Sequence, residues 1–254
     1  MSSQVASVAV ITGGASGIGW KTAELLLEAR PDTGCALVDL DEAQSGELVG
    51  RFGADRVRFV PCDVTDQAAV AHAVEQIEAW NRPIKRLVTC AGIQIVADSF
   101  ELPAEDWKKV LSVHLDGTFY WCQAAGRAMR DAGGGSIVTV GSIAQDFGFP
   151  GRAAYTTSKA GIGGLTRVLA VEWAPAGIRV NSVIPGMVET PLFRRAAAQG
   201  IVDAQAAASE HALDRLGSTG EIAEAIAFLL SERSSFITGE LVHVDGGFRA
   251  QRLE

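Results

Sequence analysis

Val8-Ala9-Val10-Ile11-Thr12 runs straight into Gly13-Gly14-Ala15-Ser16-Gly17-Ile18-Gly19, and this stretch decides how the chain is read. The first five residues form a continuous apolar run, the pattern of a strand covered on both faces. The glycines that follow permit a tight turn and let the backbone approach a pyrophosphate. A helical pattern starts at once, over about 17–29, and a helix N-terminus offers free N–H groups and a positive dipole end. A glycine cluster alone is often just a turn. With a strand before it and a helix after it, dinucleotide binding is the better reading.

The second strand candidate, Cys35–Asp39, ends in a carboxylate twenty residues past Gly19. A carboxylate there accepts hydrogen bonds from both adenosine ribose hydroxyls and repels a 2′-phosphate. Ser16 and Leu40 stand where a binder of the phosphorylated cofactor usually supplies arginine or lysine, and neither is basic. The expected cofactor is therefore NAD rather than NADP. The competing role for Asp39 is a turn or helix N-cap, for which Asp41 is better placed.

Further strand candidates are Val57–Cys62, Leu87–Ala91, Ser136–Val140, Arg179–Ile184 and Leu241–Val244, with helical patterns at about 41–52, 66–80, 104–131, 153–174 and 219–231. Alternation of this kind predicts an α/β fold: one doubly wound, Rossmann-type parallel sheet of about seven strands with helices on both faces. No linker or repeat divides residues 1–254, so a single domain is expected. The stretch 187–216 lacks a strand and holds Phe193-Arg194-Arg195 and an alanine-rich run. It reads as a helical insertion at the carboxyl end of the sheet, either a substrate lid or a structural helix pair.

A formal net charge of −8 argues against a broad nucleic-acid surface. No apolar stretch is long and clean enough to span a bilayer, and the N-terminus has no signal-peptide pattern. Cys35, Cys62, Cys90 and Cys122 have no metal-like spacing and sit in or beside apolar segments. They read as buried free thiols, which suits a reducing, cytoplasmic compartment. No metal site is expected.

Tyr155 and Lys159 lie four apart, on one face of a helix, with Ser142 thirteen residues upstream of Tyr155. A phenol titrates near 10, and an adjacent ammonium lowers that value, so the pair can work as one acid/base. Alone, Tyr-x-x-x-Lys is a weak pattern.

Together, Thr12-Gly13-x-x-x-Gly17-x-Gly19, Ser142, Tyr155-x-x-x-Lys159 and Pro185-Gly186 resemble the short-chain dehydrogenase/reductase family in order and approximate spacing, over essentially the whole chain. The resemblance implies that Asp63, with Val64, meets adenine. It also implies that Cys90-Ala91-Gly92 lies near the cofactor ribose; Thr89-Cys90 departs from the family's Asn-Asn. Pro185, Gly186, Val188 and Thr190 would meet the nicotinamide carboxamide. Ser142 would position the substrate oxygen, Tyr155 would exchange its proton, and Lys159 would bind the ribose and depress the Tyr155 pKa. His114 stands where the family has an asparagine that holds a water of the proton relay. Imidazole either keeps that relay in altered form or fills space and satisfies a backbone group.

Plausible substrate contacts are Gln94, Gln145, Phe147, Phe149, Arg152, Met187 and Phe193, a mixture that suits a polyol, a sugar or an aromatic secondary alcohol. Arg152, Arg194 or Arg195 would meet an anionic group, or simply lie on the surface. The implied activity is an NAD-dependent alcohol dehydrogenase or ketone reductase, acting on a small-molecule substrate as a homo-oligomer, with a tetramer favoured. Two alternatives remain: halohydrin-type elimination, disfavoured by the intact glycines and Lys159, and a non-catalytic NAD-binding sensor or interaction protein.

Overall fold

The computed structural model describes residues 6–42 and 44–252; residues 1–5, where a leader was sought, lie outside it. Strands β1 (Ser7–Thr12), β2 (Thr33–Asp39), β3 (Val57–Pro61), β4 (Ile84–Thr89), β5 (Gly135–Val140), β6 (Ile178–Pro185) and β7 (Leu241–Val244) form one sheet in the order β3-β2-β1-β4-β5-β6-β7. Every pairing is parallel.

Successive side chains of a strand point to opposite faces, so an unbroken apolar run needs a core on each side. Val8 and Val10 of β1 join one core, with Val70 and Ile77 of α3 (Gln67–Glu78), Trp121 of α5 (Gly117–Asp131) and Leu169 of α6 (Ala153–Trp173). Ala9 and Ile11 join the other, with Leu26 and Leu27 of α1 (Gly17–Ala29), Leu48 of α2 (Ser45–Phe52) and Ile226 of α9 (Thr219–Leu229). The expected doubly wound sheet is the sheet observed.

Two helices differ from expectation. The one expected from residue 41 starts only at Ser45, with Gln44 at its N-cap, so Asp41 does not cap it. The helix expected over 104–131 is interrupted. Helix α4 (Ala104–Leu111) passes into a π-turn, Ser112–Asp116, before α5 continues. Wide turns of this kind often occur at functional positions, and this one carries His114. In the 187–216 stretch lie two short helices, α7 (Pro191–Ala198) and α8 (Ala204–Ser209).

The chain reverses direction across the sheet between β1 and β4, and ligands of open α/β sheets bind outside the carboxyl ends of strands at such a switch point. Thr12, the last residue of β1, ties the two strand ends together. Its Oγ1 accepts from the N–H groups of Cys90 and Ala91 at 3.1 and 3.2 Å.

Candidate active site

A cavity of about 410 Å³ opens at this switch point and extends from Asp39 to Phe149. Its floor at one end is the glycine loop. Gly13 has a φ of +63°, and a Cβ there would stand 2.9 Å from the backbone of Cys90 and Ala91. Gly19 serves the packing beneath the loop: a side chain there would run into the Gly13 carbonyl. Ser16, the N-cap of α1, makes no capping hydrogen bond with its side chain, and the first turn of α1 holds no acid. The first N–H groups of α1 are thus left for an anionic ligand.

Asp39 lies on the wall beside this loop, where its Oδ2 accepts from Ala15 N at 3.2 Å and its Oδ1 from Leu40 N at 2.9 Å. The carboxylate therefore braces the glycine loop and still faces the cavity. Leu40, 72% exposed, brings no cation to this end of the cavity. Asp63 is fixed by Thr65, whose N–H and hydroxyl both donate to its Oδ1, while Asp66 caps α3.

Of the expected cofactor contacts, Gly13, Ser16, Gly17, Ile18, Asp39, Leu40, Asp63, Val64, Cys90, Ala91, Gly92, Tyr155, Lys159, Pro185, Gly186, Val188 and Thr190 line the cavity. Thr12 and Gly19 do not; Thr12 is 2% exposed and spends its hydroxyl on β4. Thr190 caps α7 by accepting from Phe193 N at 3.1 Å, with Pro191 in the first turn, so the capping role is real. It also lines the cavity.

At the other end, Ser142 lies two residues past β5, and its Oγ accepts from Ala144 N at 3.2 Å. A hydrogen bond from Ser142 favours the ionised Tyr155, but burial outweighs it and pushes the phenol above its ordinary value. Lys159 is 6% exposed, and its Nζ donates to Val140 O at 2.7 Å, 5.6 Å from the centre of the Tyr155 ring. Desolvation pushes the ammonium down to about 8. Burial, and not the charge of Lys159, is the dominant influence on the Tyr155 phenol, and burial likewise dominates at Lys159.

The sequence leaves two readings of His114 open, an altered relay or a space-filling ring that satisfies a backbone group. The ring is 3% exposed, and its Nε2 lies 2.7 Å from Ile93 O and 3.1 Å from Ile93 N. It stands edge-on to Tyr155 with centroids 5.2 Å apart, and its Nδ1 is buried without a partner. Burial, aided by the charge of Lys159, pushes it down to about 3. An imidazole held neutral does not titrate near neutrality. The ring packs against Tyr155 and meets the backbone of Ile93, the contacts that the space-filling reading calls for.

Gln94, Phe149, Arg152, Met187 and Phe193 also line the cavity. Gln145 does not: its Oε1 is buried without a partner near Gly141 and Gly163. Phe147 packs on Phe248 instead, at 5.5 Å. Half of the 187–216 stretch overhangs the cavity, through Phe193, Arg195, Ala196 and Val202. The other half is fastened by buried His211, whose Nε2 accepts from Met187 N at 3.1 Å and whose ring lies 5.4 Å from that of Phe248. Sequence reading missed Ile93, Val113, Ile143 and Leu192 on the walls; as isolated apolar residues they carry no signal. Cys35, Cys62 and Cys122 are buried free thiols. Cys90 is only half-buried and faces the cavity.

A family profile described as "Enoyl-(Acyl carrier protein) reductase", one of the short-chain dehydrogenase/reductase profiles, matches residues 13–249. The chain is 40% identical to a cis-4-hydroxycyclohexanecarboxylate dehydrogenase of Sinomonas cyclohexanicum, over 96% of each chain. It is 38% identical to a D-threitol dehydrogenase of Mycolicibacterium smegmatis, over 95% of this chain and 92% of the relative. A solved Brucella melitensis structure, described as ribose-5-phosphate isomerase, is 36% identical and superposes with a TM-score of 0.90 over 98% of this chain and 95% of that one. Named activities thus vary across one shared fold, and the profile and relatives agree that this chain belongs to the short-chain dehydrogenase/reductase family.

Proposed function

We propose that this protein is an NAD-dependent dehydrogenase that interconverts a secondary alcohol and a ketone, with Tyr155 as the proton-transfer group. The reading is carried by one observation: Ser142, Tyr155 and Lys159 line the same cavity as the glycine loop and Asp39. The open N-terminus of α1 suits a pyrophosphate, and Asp39, with no cation at Ser16 or Leu40, suits an unphosphorylated ribose. The relatives named for hydroxylated substrates support an alcohol as the reacting partner.

When bound, NAD supplies the hydride acceptor, and its reduced form the donor. The chain holds and moves the proton. The Ser142 hydroxyl donates to the substrate oxygen and holds it beside Tyr155. During oxidation the Tyr155 phenolate takes the carbinol proton; during reduction the phenol returns it. Lys159, anchored on Val140 O, keeps a positive charge close to that ring and presents N–H donors to a ribose. His114, neutral and edge-on to Tyr155, fixes the phenol's orientation. Phe193 and Ala196 of α7, overhanging the cavity, help exclude water from the reacting atoms. The four free thiols support a reducing, cytoplasmic setting.

Nicotinamide absorbance, followed with NAD and NADP across secondary alcohols and ketones, tests the reading. Turnover with NAD is expected, lost in Tyr155→Phe while NAD still binds. Asp39→Ala should weaken NAD more than NADP. Undiminished turnover in Tyr155→Phe would remove Tyr155 from the mechanism. NAD binding with no turnover on any alcohol would favour a non-catalytic binder.

A further inference from the structure

Resting on that reading of Tyr155, we propose that the substrate carries a carboxylate, held at the mouth of the cavity by Arg152 and faced by Arg195. The cavity is polarised. Its lining carboxylates, Asp39 and Asp63, both stand at the ends of β2 and β3. Among the described residues, the lining around Ser142 and Tyr155 holds cations and no acid.

Arg152 is the N-cap residue of α6, three positions before Tyr155, and is half-buried. Its guanidinium lies over the Phe149 ring, 5.5 Å from the centroid. A stacked guanidinium keeps its in-plane N–H donors at the edge, in the fork that matches a carboxylate. Several arginines of this acidic chain have acceptors, as Arg51 takes Glu24 and Glu28, Arg194 takes Glu189 and Arg215 takes Glu221; of the arginines, Arg152 and Arg195 are the ones among the described residues that line the cavity. Arg152 and Arg195 have no carboxylate within ion-pair distance among the described residues, although the chain carries 30 acids against 22 lysines and arginines. The charge of Arg152 also acts on the Tyr155 phenol, so a substrate anion bound there reaches the reacting end rather than the adenosine end.

The test uses three hydroxy acids, 3-hydroxybutyrate, mandelate and 4-hydroxycyclohexanecarboxylate, each against its methyl ester. At least one acid should exceed its ester in kcat/KM, and Arg152→Gln should lower that ratio by about ten- to a hundredfold, the worth of a charged hydrogen-bonded contact. Arg152→Lys, which keeps the charge, should retain more of the ratio than Arg152→Gln. The same pairs are titrated by calorimetry into the protein loaded with NADH, where no alcohol turns over. There the acid should bind more tightly than the ester, and Arg152→Gln should erase the difference. Equal binding of acid and ester in all three pairs, or a preference unmoved by Arg152→Gln, overturns the inference. A preference moved only by Arg195→Gln overturns the role of Arg152. Because the titration needs no chemistry, absence of turnover counts against Tyr155 as the reacting group and leaves the carboxylate result to stand or fall by itself.

Discussion

Stability measured against pH, for the wild-type chain beside His114→Asn, should separate the two proteins by about 2 kcal/mol between pH 7.5 and pH 5. Burial holds the folded imidazole at about 3, against an ordinary value of 6.5. The ring cannot relax toward water: it sits between Ile93, Gly92 and the Tyr155 ring. As pH falls below 6.5 the unfolded chain takes up a proton that the folded chain refuses, so stability is complete above the unfolded value and is lost toward the folded one. At pH 5 the solution stands about 1.5 pH units below the imidazole's ordinary value, and each pH unit is worth about 1.4 kcal/mol. Asparagine does not titrate, and every other ionisable group is common to both proteins and cancels. Urea unfolding at fixed protein concentration, repeated at pH 7.5, 6 and 5, gives the difference directly. His114→Asn costs packing at every pH, so the slope and not the absolute value carries the prediction. Parallel stability curves down to pH 5 would show that the folded imidazole protonates freely and is not held neutral by burial.

A Cβ on Gly92 would stand 2.5 Å from His114 Cε1, with Tyr155 behind the ring. Gly92→Ala should therefore cost about 1–3 kcal/mol of stability, and adding His114→Asn should recover much of it. Additive losses in the double variant, measured by urea midpoints, would mean the two sites do not touch. Phe236 and Phe119 of α5 are exposed apolar side chains, and the family resemblance implies a tetramer; light scattering should give a mass of four chains, and a single-chain mass would remove that reading.

What the sequence determined by itself is the framework and the chemistry at its two ends. Continuous apolar runs fix strands covered on both faces, and the glycine loop, Asp39, Ser142, Tyr155 and Lys159 follow from local spacing and side-chain chemistry, properties that short segments carry unaided. The tertiary structure decided which of these side chains reach the cavity and in what ionic state. Thr12, Gly19 and Gln145 stay out of it: β4 takes the Thr12 hydroxyl, the Gly13 carbonyl closes on Gly19, and the Gln145 side chain is buried beside Gly141 and Gly163. His114 is neutral and Tyr155 is raised because desolvation sums over neighbours brought together from β4, the π-turn and α6. Among the described residues no acid from any other element folds against Arg152, and partners distant along the chain become neighbours only when the sheet closes.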